Sequence, residues 1–444
     1  MRPPVLALTI TLAVLPRWAF AEPAKLTLDQ VIAKAVANPR VQMASGDMDA
    51  AAAQVDEADS ARLPKFKGTA FATLSPEVKC LDPNCTMTDP ANFAFNFKGV
   101  FVNSQLDMTQ PLYTFGKIGH ARAAARAGLD ARRALADEAA GDAAADAAKA
   151  YWGLKLAREL GYMLDDGIEE IVKAQSHFDE RTDISIQDRQ RVAVLLAEAK
   201  AQRADAAQGE AQALAGLRAI TATPDADIDD SELAAVDHPL PTNDVILASS
   251  SRRPQSVAAT AGAAAANELA AFQASYYYPD VALVGSAWFA KAQGVPDAPG
   301  IFANDPFNRA GAGLVLALQW QIEPWTTKAR AEKARAEAHK ANAQSELAEI
   351  GARYDAATAA SEASAAKAKV DATAEGEKAA RAWLASVLQN EAIGTAEAKD
   401  LVDAYIAWFQ LKAHWSQSVF QWNVAVVRLG RAGGEYRANS NRPR

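Results

Sequence analysis

Cysteine is almost absent from this chain: 444 residues include two, Cys80 and Cys85. Neither has a histidine nearby in the sequence, and a structural zinc site asks for four ligands, which makes a metal centre the weaker reading of the pair. The five histidines (His120, His177, His238, His339 and His414) are scattered with no pair at ligand spacing. No phosphate-binding loop, GxSxG elbow or HExxH helix occurs, which argues against an enzyme and against a bound cofactor. Six methionines are too few and too dispersed to argue for handling of a soft metal. Aromatic residues make up only 7% of the chain, too few to fill a thick globular core. Basic residues are outnumbered, 46 against 54 acidic, and form no stripe, so nucleic acid is not an expected partner. Beyond residue 21 no apolar run approaches the 18 residues of a membrane-crossing helix. A membrane could be entered only as β-strands.

What is present is alanine. Half the residues are hydrophobic, yet the mean hydropathy is −0.13. Alanine propagates helices while burying little area per residue, a composition suited to long, thin, closely packed helices. The first 21 residues read as a secretory signal peptide: Arg2, an apolar run from Val5 to Leu15, and Ala19-Phe20-Ala21 before Glu22. No cysteine follows that would carry a lipid. In an exported chain, Cys80 and Cys85, separated by Leu81-Asp82-Pro83-Asn84, most simply close a small loop as a disulfide.

The chain repeats itself. Asp29 and Asp244, Pro39 and Pro254, and Pro64 and Pro279 are each 215 residues apart, while Asp188 and Asp400, and Leu217 and Leu429, are 212 apart. The expected layout is a first repeat over 22–220, a linker rich in Asp and Pro over 221–243, a second repeat over 244–432 and a tail over 433–444. In each repeat a broken helix (29–62; 244–277) precedes two strands, about 65–75 and 98–109 in the first and 280–290 and 310–322 in the second. Long helices follow, over 117–219 and 325–430.

Two periodicities carry the reading further. Val100, Val102, Leu106 and Met108 alternate with Asn103, Gln105, Asp107 and Thr109, and Leu314, Leu316, Leu318, Trp320 and Ile322 with Ala317, Gln319, Gln321 and Glu323. That pattern fits a membrane β-barrel strand and fits equally a half-buried strand of a soluble sheet. Lys65 and Lys67 are expected at a barrel rim or lumen. In the last helix Leu401, Trp408, Trp415, Trp422 and Leu429 recur every seven residues, the mark of helix-on-helix packing, with Lys412 breaking the companion row and exposing part of that face. The tryptophan stripe is packing rather than a ligand box. Four strands cannot close a membrane barrel, and open edges in lipid are prohibitive. Several copies must pool strands, and three copies would supply twelve.

The order of short motifs in this duplicated chain resembles the TolC family of outer membrane factors over essentially the whole mature length. The motifs are Leu28-Asp29-Gln30-Val31 through Asn38-Pro39, Gln110-Pro111-Leu112-Tyr113-Thr114-Phe115-Gly116-Lys117, Gly394-Thr395 ahead of Asp400-Leu401, and Asn423-Val424-Ala425 leading to Leu429-Gly430-Arg431-Ala432-Gly433-Gly434. The resemblance implies an α+β membrane protein: a homotrimer whose four strands per chain build a twelve-stranded barrel in the outer membrane of a Gram-negative bacterium. A long α-helical barrel crosses the periplasm, with a mixed belt at the linker and chain ends. It also implies a passive exit duct for efflux or type I secretion, with a periplasmic adaptor, an inner-membrane pump and outer-membrane lipid as partners and no cofactor.

Asp400 and Asp403 match the family's tip aspartates, and Asp188 that of the first tip, so these three are the candidate channel gate. Spacing alone places Asp400 and Asp403 on one helix face near a helix start, where two solvated acids favouring the dipole are the better account, and the resemblance reverses that preference. Two departures stand out. The second strand-to-helix junction, Trp320 to Thr327, lacks the glycine of the first, and a latching arginine of some members would fall near Ala396. The competing class is a soluble periplasmic coiled-coil scaffold or adaptor protein.

Overall fold

The computed structural model describes residues 24–80, 93–180, 185–293, 307–393 and 397–434, with 295, 305 and 395 as single positions. In chain order the elements are β1 (Ala24–Leu26), α1 (Leu28–Val36), α2 (Pro39–Ser60), β2 (Lys65–Cys80), β3 (Phe93–Tyr113), α3 (Lys117–Glu180) and α4 (Ile186–Thr221). There follow β4 (Ala226–Ile228), α5 (Asn243–Ser250), α6 (Pro254–Ala274), β5 (Asp280–Ala292), β6 (Arg309–Gln319), α7 (Pro324–Ala392) and α8 (Ala398–Ala432). Helix, helix, strand, strand, helix, helix therefore occurs twice. The expected signal peptide lies outside the described residues. So does Cys85, and only the backbone of Cys80 is described.

Local chemistry explains the breaks. α1 starts on a capping box between Thr27 and Gln30 and stops ahead of Asn38-Pro39, because a residue before proline avoids helical geometry. Asn38 then donates its Nδ2 to the Ile220 carbonyl (2.7 Å), satisfying a group at the C-terminal end of α4. α6 begins with Pro254 at its first position, where the missing N–H costs nothing. α4 ends at Ala222, held in the left-handed region at φ +48°. At 1.5 Å per residue the 64 residues of α3 and the 69 of α7 each run roughly 100 Å.

The chain divides into two compact units. The first takes residues 1–39, 141–241 and 359–431. In it α3, α4, α7 and α8 share a core of Leu164, Ile171, Phe178, Val192, Leu195, Leu384, Leu401 and Tyr405. Gly167 of α3 lets helices approach: a Cβ there would stand 2.2 Å from the Phe409 ring. A second core gathers Leu26, Val31, Leu154, Leu217 and Ile228 around the parallel β1–β4 ladder. Of the heptad row, Leu401, Trp422 and Leu429 are buried, as are Tyr405 and Val419 of the companion row, while Trp408 and Trp415 are partly buried. Lys412 departs from the expected exposed break: its side chain is only 14% exposed, pairs with Glu159 of α3 at 2.9 Å and lies over the Trp415 ring. The lysine stem packs along the helix seam while its ammonium finds a carboxylate.

The segment after β4 is stapled on two sides. Toward α3, Tyr151 donates to Asp229 (2.5 Å), the buried Lys155 ammonium reaches Asp229 and the Ser231 carbonyl, and Arg158 pairs with Asp227 (2.6 Å) and Glu210 (3.0 Å). Toward α8 the bonds are neutral: Trp422 Nε1 donates to the Val236 carbonyl, and Asn423 bonds the Val236 N–H and the Ala234 carbonyl, all within 2.8–2.9 Å. Burial opposes the charge on Asp229, but hydrogen bonds from Ser231, Tyr151 and Lys155 outweigh it and hold the carboxyl down at about 2.

The second unit takes residues 40–140, 242–358 and 432–444. It contains a four-stranded antiparallel sheet in the order β2-β3-β5-β6. Buried Ala331, Ala334, Ala338, Ala352 and Ala356 mark the packed stripe of α7. Arg122 and Arg126 both pair with Asp59, and Arg253 with Asp355 (3.0 Å).

Candidate functional site

The sheet has two chemically different faces. Following the register, Phe66, Gly68, Ala70, Ala72 and Leu74 of β2 align with Met108, Leu106, Ser104, Val102 and Val100 of β3. Leu106 and Met108 align in turn with Ala287 and Gly285 of β5, and those with Ala312 and Leu314 of β6. A Cβ on Gly285 would meet Leu314 Cδ1 at 3.2 Å and Met108 Cε at 3.4 Å, so the apolar rows of both repeats lie on one face. On that face Phe66, Leu74, Leu106, Phe289, Leu314, Leu316 and Leu318 are half exposed or more. The opposite face carries Lys65, Lys67, Thr69, Asn103, Gln105, Asp107, Thr109 and Ser286 at the end nearer the helices. Lys65 and Lys67 are thus on the polar face, level with Thr109 and Asp107.

Among the described residues both sheet edges are open: β2 and β6 each have one neighbour. An exposed apolar face with two long unpaired edges calls for further strands. Among the described residues no helix is long and apolar enough to cross a membrane.

Where strands meet helices, aromatic side chains collect. Tyr113 and Phe115 pack edge to face (4.7 Å between centroids), and Phe115 stacks on Tyr278 (5.5 Å). Lys117 pairs with Asp280 (2.9 Å), donates to the Tyr278 carbonyl (3.0 Å) and lies over the Tyr276 ring. Tyr113, Tyr278, Trp320 and Trp325 are all more than half exposed. Amphipathic rings of this kind favour a membrane–water boundary. The first junction turns on Phe115 (φ +47°) and Gly116 (φ +91°). The second has no positive φ and instead starts α7 at Pro324. A glycine is dispensable there because proline presets the helical φ. β6 consequently ends at Gln319, and Trp320 and Ile322, expected at the strand end, lie in the connection. β2 and β3, by contrast, extend to 80 and 93–113, beyond the expected 65–75 and 98–109.

Of the three candidate carboxylates, Asp188 and Asp400 stand in the corresponding first turns of α4 and α8. Asp188 is the third residue of α4 and has local partners: the Ser185 hydroxyl donates to its Oδ2 (2.6 Å), the Ser185 oxygen accepts from the Asp188 N–H, and Arg191 lies 4.0 Å away. Asp400 is the third residue of α8, and Asp403 follows one turn on. Both are exposed, on the side away from the buried Leu401, Ala404 and Tyr405. Neither makes a hydrogen bond or ion pair among the described residues. Among the described residues no hydrogen bond or ion pair joins Asp188 to Asp400 or Asp403. Arg191 occupies in the first repeat the position of Asp403 in the second, a difference the 212-residue offset makes visible in the sequence.

A family model described as outer membrane efflux protein matches residues 34–223, which is most of the first repeat. No curated protein matches significantly. Among solved structures, the Campylobacter jejuni CmeC outer membrane channel is 16% identical, with a TM-score of 0.76 over 99% of this chain and 96% of that one. The open state of the Neisseria gonorrhoeae MtrE outer membrane channel is 19% identical, with a TM-score of 0.73 over 92% and 88%. The outer membrane protein VceC from Vibrio cholerae is 17% identical, with a TM-score of 0.74 over 92% and 96%.

Proposed function

We propose that the chain is a member of the outer membrane efflux protein (TolC) family and the passive exit duct of a tripartite efflux or type I secretion system, a reading supported by the family model over residues 34–223. The observation that carries this reading is the open four-stranded sheet, apolar on one face and polar on the other. In lipid each unpaired edge amide costs several kcal/mol, so the sheet is complete only when β2 of one copy meets β6 of the next. Three copies supply twelve strands, an even number within the range of closed outer-membrane barrels. The apolar face then meets lipid, the aromatic cluster sits at the periplasmic boundary, and the polar face lines a water-filled lumen. The helices continue the duct through the periplasm of a Gram-negative cell toward an adaptor and an inner-membrane pump.

Asp400 and Asp403 form the gate in this reading. Three copies place two carboxylate rings at the helix ends, a constriction that concentrates cations and repels anions. Asp188 acts beside it as part of the first tip. An adaptor opens the gate by drawing the tip helices apart.

The test is conductance of the purified protein in planar bilayers. Asp400→Ala with Asp403→Ala is expected to raise conductance and abolish block by divalent cations. Unchanged conductance and block would remove these residues as the gate. Absence of any channel from protein recovered in the aqueous periplasmic fraction would favour the coiled-coil scaffold.

A further inference from the structure

The polar face of the sheet is not polar throughout. From the level of Thr69 and Gln105 outward, toward the strand ends farther from the helices, the same face carries Trp288, paired with Gln105, then Phe71, paired with Asn103, and then Phe101. Phe71 and Phe101 sit diagonally across the β2–β3 pair and pack edge to face, with centroids 5.9 Å apart. Phe307, ahead of β6, packs on the other side of Phe101 in the same manner at 5.8 Å. Its position is fixed from both sides: the Asp305 carboxylate accepts from the Phe307 and Asn308 N–H groups, and Asn308 accepts from the Ala292 N–H and donates to the Val295 carbonyl. Trp288 leans over Gly311 of β6, where a Cβ would stand 2.8 Å from its ring. Phe71 remains 51% exposed.

An ordinary water-filled lumen gives no reason for an aromatic row on its own wall. Packing accounts for only part of it: Ala290 and Ala292 on this face are buried, while Phe71 stays half exposed. Twelve strands ~4.8 Å apart and tilted by ~40° place the wall about 12 Å from the axis. Side chains standing perpendicular to the sheet take up about half of that radius. Rings at this level would therefore narrow the passage to about the width of a small polycyclic molecule.

We propose that Phe71, Phe101, Trp288 and Phe307 form an aromatic collar on the lumen wall from mid-strand outward, a second constriction in series with the acidic tip and a stacking site for planar aromatic solutes in transit. This rests on the duct reading, because only closure of the sheet turns the face inward. The collar gives the duct a preference of its own among the solutes delivered to it. Edge-to-face pairs leave ring faces open, and ring faces attract flat aromatic cations by stacking and by their quadrupole.

The experiment uses the full-length protein in planar bilayers in an Asp400→Asn/Asp403→Asn background, so that the tip neither limits current nor binds the probe. Proflavine, a planar aromatic cation, is added on the side of the strand loops, with tetraethylammonium as a cation lacking rings. Block by proflavine is expected, with the half-blocking concentration raised about tenfold in Phe71→Leu/Phe101→Leu, the equivalent of one lost ring contact. Tetraethylammonium should respond equally little in both proteins. Phe71→Ala/Phe101→Ala should in addition raise conductance above that of the Leu pair. Proflavine block equal in the parent and the Leu pair, or conductance equal in the Ala and Leu pairs, would overturn the collar. A chain that forms no channel in any version would overturn the duct reading and the collar with it, an outcome distinct from a conducting channel indifferent to these rings.

Discussion

The two repeats share one plan but close their ends with different chemistry. At the strand-to-helix junction the first uses Phe115 and Gly116 at positive φ, and the second a proline at the first helical position. At the start of α4 the first ties its carboxylate down, with Ser185 and Arg191 around Asp188. The second leaves Asp400 and Asp403 exposed. The linker between them is bound to the first repeat through charges and to the second through Trp422 and Asn423. The two repeats thus share a backbone path, while their exposed turns differ in local chemistry.

The largest expected effect lies at the tips. Asp188→Ala, tested beside Asp400→Ala/Asp403→Ala in planar bilayers, should change conductance and cation block far less, because its charge is already engaged by Arg191. Equal effects would erase the contrast between the two tips.

The junctions come next. Gly116→Val combines positive φ with a Cβ that would stand 3.1 Å from His120, and should cost about 2–3 kcal/mol. Pro324→Ala should cost about 1 kcal/mol or less, chiefly through unfolded-chain entropy. Thermal melting of both variants in detergent checks the order.

Acid should then separate the two sides of the linker. The Asp229 carboxyl is held at about 2 in the fold against its ordinary value of 3.8. Its stabilising contribution is complete above the ordinary value and is lost as pH falls from about 4 toward 2. Hydrogen exchange at residues 227–231 should accelerate over that window while protection of the Val236 N–H, bonded to neutral Asn423, persists. Asp229→Asn should remove the pH dependence. The smallest effect expected is that of Ser185→Ala, which deletes a helix cap and should cost about 1 kcal/mol at the first tip.

Much of this architecture is legible because period and punctuation repeat in the sequence. The Pro39–Pro254 offset locates the paired helix breaks, and the alternation around Val102 and Leu316 assigns sheet faces that the register reproduces. The heptad through Trp422 likewise identifies the buried side of α8. Lys412 misleads because a lysine in a heptad reports charge, not the Glu159 waiting about 250 residues away in the chain. The end of β6 is misplaced by pattern alone because alternation continues through Trp320 and Ile322 after the ladder has stopped. Ser185, three residues before Asp188, is a visible capping pattern, and it explains why that aspartate differs from Asp400. The Phe71–Phe101–Phe307 cluster is illegible in the sequence, since it depends on a register linking residues far apart in the chain.

The central claim is that the sheet is completed by other copies of the same chain. Its most direct test is the mass of the native protein extracted from membranes in mild detergent. The account predicts a trimer, recovered from the outer-membrane fraction. A monomer or dimer in the soluble periplasmic fraction would contradict it.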